Sequence, residues 1–515
     1  MHKSIVILLV IIVFLATFAH ALERLSLEGC IEIAIINNPG IIAASHKVNE
    51  YSQKISQAFG AKLPSITIDG GLRRTYQEPQ TSTLVIGGIT QNIAFGPDSA
   101  GDTLNYSVNL TQPIYTFGKI ESAYDIAVRN YEMILEDFRA AEQDVVFNVK
   151  SAYLSVLRAK DMVDLSQESL NMASEHLKQI EEMLSVGLAT KNDMLRTKVQ
   201  VSSSSYTLIQ AINGLELAKA GLNVALGRGV DEDYVLDAVN ISFDPITESY
   251  KDIIARAYKA RPDWRRAEIS KNIAELSKKA AQSDIWPAFS FMGSYGRTNT
   301  TYASYNSNTS NWSLAAAGSW KIFDGMANLA KVNEAEAAKA GINANINMLK
   351  NYIGMDVKGA YLDFGTKIKL IETAVAGVES AKENLRVAEL RYKSGVGTNI
   401  EALDAQTALT KAETDYTQAK YDLELARAKR DKAEGKDYFQ KLVGTIKYIE
   451  LEGGFIGFIS ANGEHFTPIG EKVAAIAKEI GTGERSAILY GYPKKGVMTI
   501  SMWGTPFYVV KYAWK

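Results

Sequence analysis

The sequence predicts a mainly helical fold carrying membrane-type β-strands, built from two copies of a strand–strand–long-helical-hairpin unit. Three observations predict it. The chain repeats itself at a fixed spacing, two long proline-free stretches keep helical periodicity, and four shorter stretches alternate apolar with polar or small residues.

VKSAYL at 149–154 returns as VKGAYL at 357–362, an offset of 208 (357 − 149). That offset also links Gly187 to Gly395, Thr190 to Thr398 and Gly227 to Gly435, and it links Pro113-Ile114-Tyr115-Thr116 to Lys321-Ile322-Phe323-Asp324. Upstream the offset is 223 (261 − 38), pairing Asn38-Pro39 with Arg261-Pro262 and Leu63-Pro64 with Trp286-Pro287. The change of offset places one length difference in the connection between the strands. Two homologous halves follow, 22–245 and 246–435, preceded by a segment 1–21 and followed by a domain 436–515.

Residues 1–21 have the form of an export signal: Lys3, an apolar run from Ile5 to Phe18, then Ala19-His20-Ala21. The run is shorter than the roughly 20 residues a membrane helix needs, so cleavage after Ala21 is expected. Leu27-Glu28-Gly29-Cys30 loosely resembles a lipoprotein signal end. Glu23, Arg24 and Glu28 separate Cys30 from the apolar run, however, and Cys30 is expected as a buried side chain on the first helix. No other apolar run has the length of a membrane helix, so any membrane span uses strands.

Four strands of about ten residues are expected. Ile66, Ile68, Gly70 and Leu72 alternate with Thr67, Asp69, Gly71 and Arg73, while Leu104, Tyr106, Val108 and Leu110 alternate with Thr103, Asn105, Ser107 and Asn109. The second half repeats this with Phe289, Phe291, Gly293 and Tyr295, and with Trp312, Leu314, Ala316, Gly318, Trp320 and Ile322. Helices follow over about 118–185 and 325–393. Each is long enough to make a rod of roughly 100 Å, too long for a globular core. Helices over 190–226 and 398–434 pack back antiparallel after Gly-containing turns.

Four strands leave two open edges, which lipid does not tolerate, and known barrels start at about eight strands. Two copies would supply eight strands and three would supply twelve with a wider bore. This arithmetic favours a trimer without excluding other numbers.

The chain resembles the TolC-like outer-membrane efflux family over about 23–435. The corners Gln112-Pro113-Ile114-Tyr115 and Ile322-Phe323-Asp324-Gly325 carry the likeness. So does Arg391-Tyr392-Lys393-Ser394-Gly395-Val396-Gly397-Thr398, followed by Leu403-Asp404-Ala405-Gln406. The resemblance implies a homotrimer in outer-membrane lipid: a 12-stranded β-barrel above a 12-helix α-barrel that crosses the periplasm. It implies docking to a periplasmic adaptor, or membrane fusion protein, joined to an inner-membrane pump or ABC exporter in an efflux or type I secretion system. The strand–helix corners are assigned to Pro113, Tyr115, Gly118, Phe323, Asp324 and Gly325.

Function is expected at the hairpin tips. Val186, Gly187, Leu188, Ala189 and Thr190 form one turn, and Gly395, Val396, Gly397 and Thr398 the other. The glycines permit a tight reversal by themselves, and the resemblance adds contact with the adaptor. Glu401 and Asp404 lie three residues apart on one helical face. Three copies would place six carboxylates around a constriction, a cation-attracting arrangement. The resemblance identifies this position as the periplasmic aperture ring.

Composition narrows the alternatives. The 515 residues carry 56 Lys+Arg and 58 Asp+Glu, a net charge of −2, so no basic footprint for nucleic acid exists. One cysteine makes no internal disulfide and anchors no Cys-rich metal site. His46, His176 and His465 lack ligand spacing, no nucleophile motif appears, and neither a cofactor, a metal nor an enzymatic activity is expected. After Gly435 a Gly- and aromatic-rich tail reads as four to six strands with a helix near 469–480. The tail, with Gly453-Gly454-Phe455 and Met502-Trp503-Gly504-Thr505-Pro506, resembles small OB-like β-barrel modules. Tyr448 and Trp503 are expected as its core. The leading function is a passive export conduit. The alternative is a cell-envelope spacer or adhesive protein whose tail is a binding module.

Overall fold

The computed structural model describes residues 23–87, 89–95, 99–239, 248–302, 306–438, 440–450, 455–469, 472–493 and 505–514. The export signal expected at 1–21, the pair Gly453-Gly454 and Met502-Trp503-Gly504 lie outside the described residues.

The first half runs β1 (Glu23–Leu25), α1 (Leu27–Asn37), α2 (Pro39–Gly60), β2 (Ser65–Gln77), β3 (Gln80–Ile86) and β4 (Ile89–Phe95). It continues with β5 (Ser99–Tyr115), α3 (Lys119–Ser185), α4 (Lys191–Leu226) and β6 (Tyr234–Leu236). The second half runs α5 (Tyr250–Ala260), α6 (Pro262–Ser283), β7 (Ala288–Thr301), β8 (Asn306–Ser319), α7 (Ala327–Lys393) and α8 (Asn399–Ala433). The tail holds β9 (Gln440–Ile449), β10 (Phe455–Ser460), β11 (His465–Ile469), α9 (Lys472–Ile480), β12 (Glu484–Pro493) and β13 (Thr505–Trp514). Among the described residues no single helix is long and apolar enough to cross a membrane.

The chain forms two compact units. One takes in His46–Glu136 and Arg265–Leu349; the other holds the described residues up to Ser45, Asp137–Trp264 and those from Lys350 onward.

In the unit of His46–Glu136 and Arg265–Leu349, the strands pair antiparallel in the order β2-β5-β7-β8. The register sorts the residues by face. Ile68, Val108, Tyr295 and Trp312 stand opposite one another across the four strands, beside the row Ile66, Leu110, Gly293 and Leu314. The other face carries Thr67, Asn109, Ser294 and Ser313, then Asp69, Ser107, Gly296 and Asn311. Side chains there bond across strands: Asn109 Nδ2 donates to Asp69 Oδ2 at 2.7 Å, and the Ser294 and Ser313 hydroxyls lie 2.8 Å apart. The apolar face is bare, with Ile68 79% and Trp312 73% exposed.

The strands run longer than the ten residues expected, at 13, 17, 14 and 14 residues. Backbone pairing continues past the apolar alternation through Thr75–Gln77 and Asn306–Asn311, because hydrogen bonding does not depend on side-chain polarity. β8 nevertheless stops at Ser319, so Trp320 and Ile322 fall beyond it, and Trp320 Nε1 donates to Ile285 O at 3.0 Å. Pro113 and Tyr115 also differ from the expectation. They belong to β5 and flank a register shift opposite β7, and the reversal follows them.

Each corner is made by two consecutive left-handed residues: Phe117 (φ 51°) with Gly118 (φ 88°), and Gly325 (φ 70°) with Met326 (φ 70°). At the offset of 208, Gly325 matches Phe117 and Met326 matches Gly118, so the conformation repeats although the glycine changes place. Phe117 is held there by its ring stacked on Trp286, centroids 5.3 Å apart, and by Ser283 Oγ donating to its carbonyl at 2.8 Å. Asp324 Oδ2 accepts from Asn328 N at 3.0 Å, starting α7.

In the other unit, β1 pairs parallel with β6. The wholly buried Tyr153 of α3 ties that pair down, its hydroxyl donating to Asp237 O at 2.6 Å and Leu25 O at 3.2 Å. Cys30 is fully buried in the same core with Ile31, Val149, Leu222 and Leu226. Burial pushes its thiol pKa up to about 12. α8 packs on α7 through Leu423 and Ala426 against Phe364 and Ile371. It meets α3 where Ala405 and Leu409 join Leu385, Ala388 and Met172. The flanks of α4 and α7 in this unit stay bare, with Val199, Ile209, Tyr352 and Met355 exposed.

In the tail, β10-β11-β13-β12-β9 close into a barrel. Ile446, Phe458, Leu489 and Phe507 fill it, with Ile476 of α9 fully buried among them and Tyr448 packed partly buried against that core.

Candidate functional site

The two hairpin turns are built alike from residues that end one helix and start the next. Past α3, Gly187 takes φ 77° and Leu188 N donates to Met183 O at 2.8 Å. Past α7, Gly395 takes φ 74° and Val396 N donates to Arg391 O at 3.0 Å. These bonds satisfy the last helical carbonyls, as a left-handed C-cap does. Thr190 then caps α4: its Oγ1 accepts from Asp193 N, while Asp193 Oδ2 accepts from Thr190 N, both at 3.1 Å. Thr398 caps α8 by accepting from Glu401 N at 3.3 Å. Val186, Leu188 and Val396 project from the tips, 68–73% exposed, while Ala189 is half-buried. Gly397 has a packing reason, since a Cβ there would lie 2.9 Å from Arg391 Cβ.

The acidic pair separates in role. Glu401 Oε2 lies 3.4 Å from Arg391 Nε, and its Oε1 accepts from Thr398 Oγ1 at 3.3 Å. Glu401 is thus drawn back onto its own turn. Asp404, one helical turn on, is exposed and carries no ion pair among the described residues.

Sequence reasoning passed over the group that joins the two turns. Asn399, 3% exposed at the start of α8, places Oδ1 2.8 Å from His176 Nε2 on α3. Its Nδ2 donates to Asp193 O and Thr197 Oγ1 on α4, each at 3.3 Å. The His176 ring meets Tyr392 of α7 edge-on, centroids 5.7 Å apart. Asn399 thus ties α8 to α3 and α4, and His176 carries the connection on to α7. No local pattern announces it, because its partners are some 200 residues away.

Among the described residues no group of three or more His, Cys, Asp and Glu could hold a metal ion.

The outer membrane efflux protein family matches residues 30–228 and 253–435, most of the chain. The chain belongs to that family. It is an outer-membrane protein of the efflux-channel class that extends into the periplasm. Outer membrane protein TolC of Vibrio cholerae is 22% identical over 418 residues, 79% of this chain and 90% of that protein. Alkaline protease secretion protein AprF of Pseudomonas aeruginosa is 21% identical over 393 residues, covering 76% of this chain and 80% of that one. Among solved structures, outer membrane protein VceC from Vibrio cholerae superimposes with TM-score 0.68 at 17% identity, over 80% of this chain and 96% of that one.

Proposed function

We propose that three copies of this chain close into a passive export conduit in the outer membrane, with a 12-stranded barrel and a 12-helix periplasmic cylinder. One observation carries the reading: a four-stranded sheet with one apolar face, one hydroxyl- and amide-lined face, and two open edges. The edges differ, one being β2 and the other β8. A head-to-tail ring is therefore the arrangement that joins each to a complement. Lipid demands such closure. The bare flanks of α4 and α7 support the same ring for the helices, since α4 of one copy would meet α7 of the next.

The tips fit a periplasmic adaptor joined to an inner-membrane pump or ABC exporter, whose energy drives transport. Val186, Leu188 and Val396 offer it three exposed apolar contacts between capped helix ends. Asp404, with Glu401 beside it, lines the aperture. The relatives include proteins named for antibiotic efflux and for alkaline protease secretion, which supports a conduit role common to both. In the tail, β11 runs parallel to β13 and α9 lies between β11 and β12, which supports an OB-like module.

Mass in detergent and single-channel conductance of the purified protein test the proposal. A conducting trimer is expected. A silent monomer would overturn it.

A further inference from the structure

The two halves differ by one insertion, and it has a structure of its own. β2 and β5 are joined through the hairpin β3–β4, whereas β7 ends at Thr301 and β8 begins at Asn306. The hairpin is a separate two-stranded sheet, Thr81 opposite Ala94 and Val85 opposite Thr90. It follows β2, the edge strand, after only Glu78 and Pro79. It leaves the sheet at the end remote from the helices, which is the outer mouth in the ring proposed above, whose helices cross the periplasm.

Its composition sets it apart. Residues 80–95 contain no Asp, Glu, Lys, Arg, His or Pro. Thr81, Ser82 and Thr83 are exposed in succession, so both faces of β3 are bare, and Val85 and Ile89 stand 65% and 69% exposed. An isolated two-stranded hairpin is marginally stable in water. Exposed edges are ordinarily blunted by lysine, proline or inward charge, and these strands carry none of them. A lipid headgroup layer does not suit the hairpin either, since it offers no cation to phosphate. What suits bare, uncharged strand edges is another strand.

We propose that the β3–β4 hairpins of neighbouring copies pair with one another and form a collar over the outer mouth of the barrel. This rests on the ring closure proposed above, in which the β2 edge from which each hairpin springs lies at the junction with the next copy. The collar narrows the mouth, so the outer end of the conduit restricts passage independently of the aperture.

Cysteine cross-linking tests it, and Cys30, fully buried, leaves introduced thiols as the reactive ones. Ser82 pairs with Ile93 and Thr83 with Asn92, so Ser82 and Asn92 face opposite sides of one hairpin and cannot bridge within a chain. Oxidation of Ser82→Cys/Asn92→Cys in outer-membrane vesicles should give a covalent trimer. Replacing 80–95 by Asn-Gly should keep the trimer mass and raise single-channel conductance two-fold or more. Monomer bands from a protein that is trimeric by mass would overturn the collar and leave the ring intact. Protection of the hairpin by lipopolysaccharide without cross-links would overturn it equally. A wild-type protein that is not a trimer would instead defeat the ring reading.

Discussion

Asn38 and Arg261 hold the same place in the two halves with different chemistry. Asn38 Nδ2 donates to Ala225 O at 3.0 Å, and Arg261 Nη1 donates to Ala433 O at 2.9 Å. Each precedes a proline, ends a short helix and grips the last turn of the returning long helix. Beside each lies a left-handed glycine, Gly227 or Gly435, at which a Cβ would come within 2.6–2.7 Å of backbone. The Arg261 guanidinium does more, since it also pairs with Asp356 at 2.6 Å and Asp263 at 2.9 Å.

Truncating these residues should therefore cost unequal amounts. Asn38→Ala loses two hydrogen bonds, the one to Ala225 O and an exposed one from Gly40 N, together about 1.5 kcal/mol. Arg261→Ala leaves Asp356 and a carbonyl without their partner and should cost about 3 kcal/mol. Denaturant unfolding of the two variants side by side checks the ranking.

The positive-φ glycines fall into two classes. Gly227→Ala and Gly435→Ala push a methyl into backbone and should prevent accumulation of folded protein. Gly187→Ala and Gly395→Ala meet nothing within 4 Å, so each should cost only the conformational strain, about 1 kcal/mol. Thermal unfolding and yield distinguish the classes.

Charge selectivity should rest on Asp404 more than on Glu401, because Arg391 already faces the Glu401 carboxylate. Asp404→Asn is expected to move the reversal potential of the channel in a KCl gradient further toward zero than Glu401→Gln does. Equal shifts would mean that the Arg391 pair opens in the assembled ring.

Glu424 on α8 has its carboxyl pKa raised by burial, which outweighs the nearby Arg427 and Lys150. A carboxyl raised in the fold stabilises it while protonated, and that contribution is lost as pH rises through the folded pKa. Glu424→Gln should accordingly raise the melting temperature at pH 7.5. The gain should vanish near pH 4, where the native carboxyl is also neutral.

Removing the asparagine that joins the tips should loosen them without unfolding the rods. Asn399→Ala leaves Thr197 Oγ1 and His176 Nε2 without that contact in a buried place, about 2 kcal/mol. Hydrogen exchange at 186–190 and 395–398 should quicken while exchange near Tyr153 stays slow.

Much of the architecture was legible because its causes are local. The ends of α3, α4, α7 and α8 fall within a few residues of those expected from glycine, threonine and periodicity. The alternation at 66–72 and 104–110 announced which residues share a face, as the register bears out. The length difference between the halves pointed to the strand connection, where β3 and β4 are found. The site was legible in outline only. Gly187 and Gly395 marked the turns, but the engagement of Glu401 by Arg391 depends on how a turn folds back, and the run of residues alone does not state it.

Sequence by itself determined the duplication, the helical hairpins and the two-faced strands, since each rests on a period that recurs within a few residues. Only the tertiary structure decided that Asn399 joins His176 to Thr197, that Phe117 can take a left-handed turn where its counterpart is Gly325, and that β2 and β8 are the open edges. Such facts depend on which distant surfaces meet. Burial and hydrogen bonding across hundreds of residues leave no period for a sequence to display.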